Sequence, residues 1–244
     1  MKLIQPNCRI QFTGDDLHFI ISVLGKKTGS EQTLLGLLAD PETRDLILDD
    51  EALFQFLLEH HGCLTVSNHL YFYIIVRNVL KKGGIEDRSV ADYVAELLAQ
   101  YSSLENTVCR LPGQQDPLEY FFEMLGAIQH ADERTAFYLR THIANHSLFL
   151  SGLFPHRIRY RAELKGFPGL SYYEALGQAN FRLASDHRLA ARYELGSIFA
   201  TLSEEFQTAR RALNDMSERI VSLGDLDCKM ERMICSALDK AGKN

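Results

Sequence analysis

The residues in this chain best suited to chemistry are His142 and His146, within the run THIANHSLFLSGLFP at 141–155. Four residues apart on a helix, two imidazoles share one face and can bind one metal ion. A zincin also needs a glutamate directly after the first histidine as general base, and here that residue is Ile143. Di-iron bundles need Glu and His three apart, and no Glu in the chain has a His three residues later. A haem needs only an axial imidazole in an apolar slot and cations for its propionates. His142 or His146 would be the ligand, and Arg157, Arg159 or Arg161 the partners. The competing reading is a pair of neutral core imidazoles, bonded to each other, to Asn145 or to backbone. Helical geometry turns successive residues by ~100°, so both histidines point with Leu139, Phe149, Leu150 and Leu153. They lie in the middle of an apolar stripe and face either core or an internal pocket.

The second candidate is HRIRYRAELKGFPGLSYY at 156–173. It holds Arg157, Arg159, Arg161 and Lys165, followed by Tyr172 and Tyr173. Positive charge is favourable just past the C-terminus of a helix, which accounts for one or two of these arginines without function. The rest would suit an anionic ligand, a nucleotide phosphate or an acidic partner. His69 and Arg77, on the apolar helix near residues 67–80, are the other polar groups expected to face a shared cavity.

Nucleophilic and nucleotide chemistry find no support, because GxSxG, a P-loop and GxGxxG are all absent. The five cysteines are odd in number and form no CxxC, which points to reduced thiols in a cytoplasmic protein. Cys228 and Cys235 read as small buried hydrophobes. His60 and His61 read as caps at a helix C-terminus. A net charge of −6 argues against a general nucleic-acid binder. The most apolar run, LYFYIIV at 70–76, is far shorter than the ~20 residues that span a bilayer. The N-terminal MKLIQPNCRIQF lacks an apolar core of signal-peptide length.

Helices must position these groups. Apolar residues recur at helical spacing throughout, and RIRYR at 157–161 is the one alternating stretch, too short and basic for a core strand. Helix starts are expected near Thr13, Ser30, Ser67 and Ser171, the last with Glu174 as a capping box. Stops are expected before Pro41, at Gly62 and at Gly83-Gly84. The segments 67–80 and 136–154 are apolar almost all round and should be central, whereas DRSVADYVAELLAQY reads as an amphipathic helix. Residues 103–116 and 155–169 read as breaks, the first as a surface loop or a sub-domain boundary. Leu-Gly pairs at 176–177 and 195–196 lie 19 residues apart, not the ~34 of tetratricopeptide repeats, so Gly177 and Gly196 are expected to serve close helix packing.

The expected fold is therefore all-α: one compact bundle of about ten helices over residues 1–244, with a short extended N-terminus. The expected function is binding of a protein partner or a small anionic ligand. A metal- or haem-dependent enzyme or sensor is the alternative, and pairing of copies through the C-terminal amphipathic helices is a third reading.

Overall fold

The computed structural model describes residues 3–28, 31–59, 66–111 and 116–222. Cys63, Cys228, Cys235, His60, His61, Ser30, Gly62 and the amphipathic stretch after 223 lie outside the described residues. The extended N-terminal segment leads through a 3-10 turn at Arg9–Gln11 into fourteen α-helices. These are α1 (Gly14–Thr28), α2 (Glu31–Ala39), α3 (Pro41–Leu48), α4 (Glu51–Glu59), α5 (Asn68–Lys82), α6 (Arg88–Tyr101) and α7 (Leu104–Thr107). They continue as α8 (Phe121–Ile128), α9 (Glu133–Leu153), α10 (Pro155–Lys165), α11 (Leu170–Ser185), α12 (Arg188–Arg192), α13 (Gly196–Glu204) and α14 (Phe206–Ser222). The fold is an all-α bundle. Among the described residues the only β pairing is one isolated bridge, Cys109 to Leu118. No described helix is long and apolar enough to cross a membrane.

Local chemistry accounts for most helix starts. Thr13 and Asp16 cap α1 reciprocally: the Asp16 amide donates to Thr13 Oγ1 at 3.2 Å, and the Thr13 amide to Asp16 Oδ2 at 2.8 Å. Ser67 Oγ accepts from the Leu70 amide at the start of α5. Asp87 and Asp132 cap α6 and α9 in the same way. The Ser171–Glu174 box does not form. Helix α11 starts at Leu170 without a side-chain cap, because Glu174 is drawn to Arg210 of α14 at 2.7 Å.

Helices α3, α7, α10 and α12 raise the count above ten. Helix α2 ends at Ala39, before Pro41 as expected, and Pro41 then occupies the first turn of α3, where a missing N–H costs nothing. The stretch at 103–116 holds α7 and the Cys109 bridge. The basic stretch after Pro155 is helical, not a loop. Pro155 opens α10, and Gly166, at φ 65, closes it in the left-handed conformation.

Helices α5 and α9 are central, as their all-round apolar character implies. Helix α6 is equally buried, contrary to its amphipathic pattern, with every residue from Val90 to Leu98 enclosed. Its polar stripe, Asp92 and Glu96, is covered by the N-terminal segment. The Arg9 amide and Nε donate to Asp92 at 2.9 and 3.3 Å, and Gln11 donates to Glu96 at 2.8 Å. Helix α14 uses its apolar face inside this same bundle, burying Ala209, Ala212, Leu213 and Met216 against α9 and α5. Its polar residues serve the end of α9. Asn214 donates to the Ser151 and Gly152 carbonyls, and Ser217 to Leu153 O at 2.9 Å. Gly177 of α11 sits against the Phe206 ring, and Gly152 of α9 against Leu213. Gly196 has only the Ser185 carbonyl nearby, at an ordinary 3.6 Å, so its expected packing role is absent.

Candidate functional site

Helix α9 carries both histidines inward. His142 is buried and His146 half-buried, with ring centroids 5.6 Å apart. Tyr101, the last residue of α6, lies against both rings, and its hydroxyl is 3.4 Å from His142 Nδ1. Phe121 of α8 meets His146 edge-on at 5.7 Å and also touches Tyr173 of α11. His146 donates to the Thr107 carbonyl. A carbonyl only accepts, so the His146 proton sits on Nε2, and its enclosed Nδ1 has no partner. His142 Nε2 is likewise enclosed and without a partner.

Burial dominates the titration of this pair. It pushes His142 down to about 3, with His146 adding to the effect, and His146 down to about 4 despite its carbonyl bond. Both rings are neutral at physiological pH. A histidine whose folded pKa is depressed stabilises the fold above its unfolded value near 6.5. That stability is lost as pH falls toward the folded values. Urea midpoints measured from pH 7 to 4.5 should therefore drop by up to about 1.4 kcal/mol per pH unit for each histidine. A flat profile over that window would show that these rings protonate freely in the folded protein.

In front of His142 lies a cleft of about 210 Å³. Its inner wall is α9, which contributes Thr141, His142 and Asn145. Tyr101 closes one side, and Asn106, Val108 and Arg110 follow from α7 and the strand-like stretch after it. Leu3 and Ile4 cover it from the N-terminal segment. Asn145 is 2% exposed, and its Oδ1 accepts from the Tyr93 hydroxyl at 2.9 Å. Thr141 donates to the Phe137 carbonyl at 2.9 Å, keeping its lone pairs. Gln100 donates to Glu96 and accepts from Asn106 through its backbone carbonyl. Among the described residues, Arg110 is the one charged side chain lining the cleft. It is exposed and has no ion-pair partner among the described residues.

The other predicted site residues fall elsewhere. Arg77 is 4% exposed and pairs with Asp49 at 2.8 Å, in a cluster with Arg88 and Lys81. His69 lies 3.4 Å from Glu96 of α6. Neither lines the histidine cleft. The arginines of α10 do not form one patch, because Arg159, two residues from each of the others, turns to the opposite side of the helix. Arg161 is buried and lies over the Phe167 ring at 4.2 Å, whereas Arg159 is exposed and Arg157 half-buried. Tyr173 packs inward on Phe121, and Tyr172 is 39% exposed. None of these five lines the cleft. Among the described residues, no three His, Cys, Asp or Glu side chains are grouped to hold a metal ion. Cys8 and Cys109 are buried and form no disulfide among the described residues.

Sequence reasoning singled out the histidines but missed Tyr101, Arg110 and Thr141. Tyr101 ends a helix pattern without any chemical signal, and Arg110 stands in a polar stretch between Cys109 and Pro112. Thr141 offered a weak signal, one turn before Asn145 on the histidine side of α9. No protein-family model matches the chain, and neither does any curated protein or solved structure.

Proposed function

We propose that this protein acts by binding a small anionic molecule in the cleft between α6, α7 and α9. The observation that carries the proposal is charge. In a chain of net charge −6, the described residues line the cleft with an arginine that has no ion-pair partner among them and with no aspartate or glutamate. A guanidinium presents a planar fork of donors to an anion, and its attraction is strongest where neighbouring carboxylates are absent. The neutral imidazoles behind it supply polarity without a competing charge. Arg110→Gln should weaken capture of benzoate and related small anions roughly tenfold or more, read by ligand-observed NMR titration at low salt. Equal binding by wild type and variant would sink the proposal.

A protein partner is the second reading. It rests on Tyr160 and Leu164, one turn apart on α10 and 60% and 66% exposed, beside Arg159. That surface is independent of Arg110, so the same variant separates the two readings.

A further inference from the structure

The cleft has two chemically different ends. Arg110 is exposed and marks the mouth. Asn145 and Thr141, 2% and 3% exposed, mark the floor. Asn145 Oδ1 accepts from the Tyr93 hydroxyl at 2.9 Å. Its Nδ2 is therefore the group left to donate, and it has no partner in the described structure. Thr141 spends its proton on the Phe137 carbonyl, so toward the cleft it can only accept. The two residues are four apart on α9 and so stand one turn above the other on one face. A donor and an acceptor in that relation match one hydroxyl group, which accepts from the amide and donates to Thr141. The rest of the lining is mixed: Leu3, Ile4, Val108 and the Tyr138 ring give apolar surface, and Gln100 and Asn106 give polar surface.

Resting on the reading of this cleft as an anion site, we propose that its ligand is a small hydroxycarboxylic acid. The carboxylate pairs with Arg110, and the hydroxyl sits between Asn145 and Thr141. A carboxylate suits a single guanidinium through two parallel hydrogen bonds. Among the described residues, a phosphate dianion would meet a single lining cation, Arg110, in a net-acidic chain.

The test uses the full chain and three probes: 4-hydroxybenzoate, benzoate and inorganic phosphate, titrated by ligand-observed NMR. The hydroxy acid should bind about fivefold more tightly than benzoate, the worth of one well-placed neutral hydrogen-bonding group. Thr141→Val, which keeps the shape and removes the acceptor, should erase that preference. Asn145→Asp should do the same by removing the donor, and Thr141→Val covers the case in which the aspartate variant fails to fold. Arg110→Gln should weaken both acids together. Equal binding of the two acids to wild type, or a preference that survives Thr141→Val, overturns the hydroxyl assignment while leaving the anion reading intact. Tighter binding of phosphate than of either acid also overturns it. Failure of all three probes to bind removes both the assignment and the reading beneath it.

Discussion

Asp49→Ala is expected to cost about 3–5 kcal/mol of folding stability, the penalty for leaving a buried charge without its partner. Asp49 follows α3 and is almost enclosed. Its carboxylate accepts from Arg77 Nε at 2.8 Å and Nη2 at 3.0 Å, and from Arg88 Nη2 at 2.9 Å. The remaining Arg77 contact is the Glu86 carbonyl, at 2.7 Å from Nη1. Without Asp49, the guanidinium would stay in the bundle with a single carbonyl acceptor. Lys81→Ala is the control, because Lys81 is half exposed and 3.6 Å from the same carboxylate. Exposed pairs of that kind contribute about 0–1 kcal/mol. Burial by itself would raise the Asp49 carboxyl, but the bonds from Arg77 and Arg88 outweigh it and hold the carboxyl below its ordinary range. Its contribution is thus complete above the unfolded carboxylate value and fades as pH falls through the folded one. This window lies below the histidine window, so the two can be read from one pH series. Urea midpoints at unchanged slope would measure the loss. A difference under about 1 kcal/mol between Asp49→Ala and Lys81→Ala would show that the Arg77 charge is solvated after all.

The second large effect belongs to Gly177. A Cβ at this position of α11 would overlap the edge of the Phe206 ring, and that ring is completely enclosed at the start of α14. The ring has nowhere to retreat, because Phe181 packs on it from the same helix as Gly177. Gly177→Ala should therefore destabilise by about 1–3 kcal/mol, the usual cost of overpacking, despite alanine's better helix propensity. Gly196→Ala should be neutral or slightly stabilising, since its Cβ meets only ordinary contacts. Phe206→Leu in the Gly177→Ala background should recover part of the loss, which a purely local backbone effect would not allow. Equal stability of the two alanine variants would refute the steric account.

Much of the fold is written locally. Asp132 and Pro155 bracket α9, and its inward histidines follow from spacing alone. The site is less local. Tyr101 reaches His142 because α6 ends beside α9, and nothing within either helix encodes that meeting. Asn145 acquires its meaning from Tyr93, fifty-two residues earlier. Helix α6 looks amphipathic because its polar stripe is real. Its burial depends on Arg9 and Gln11, whose partnership with Asp92 and Glu96 spans more than eighty residues. The α10 segment is a different case. Its charge suggested a loop, yet Pro155 at the first turn and Gly166 just past the last are the punctuation of a helix. Composition outweighed punctuation there, and punctuation was the better guide.

The side chains that α14 lends to the end of α9 bear on the order in which the molecule can be made. Synthesis delivers the innermost helix more than sixty residues before Asn214 and Ser217 arrive to occupy its last carbonyls. Until then, the C-terminal turn of α9 must remain hydrated, and the apolar side chains around it cannot close over it without stranding those carbonyls. A nascent chain stopped shortly before residue 214 therefore still has the last carbonyls of its central helix facing water. For this protein, completion of the interior waits for the last described helix.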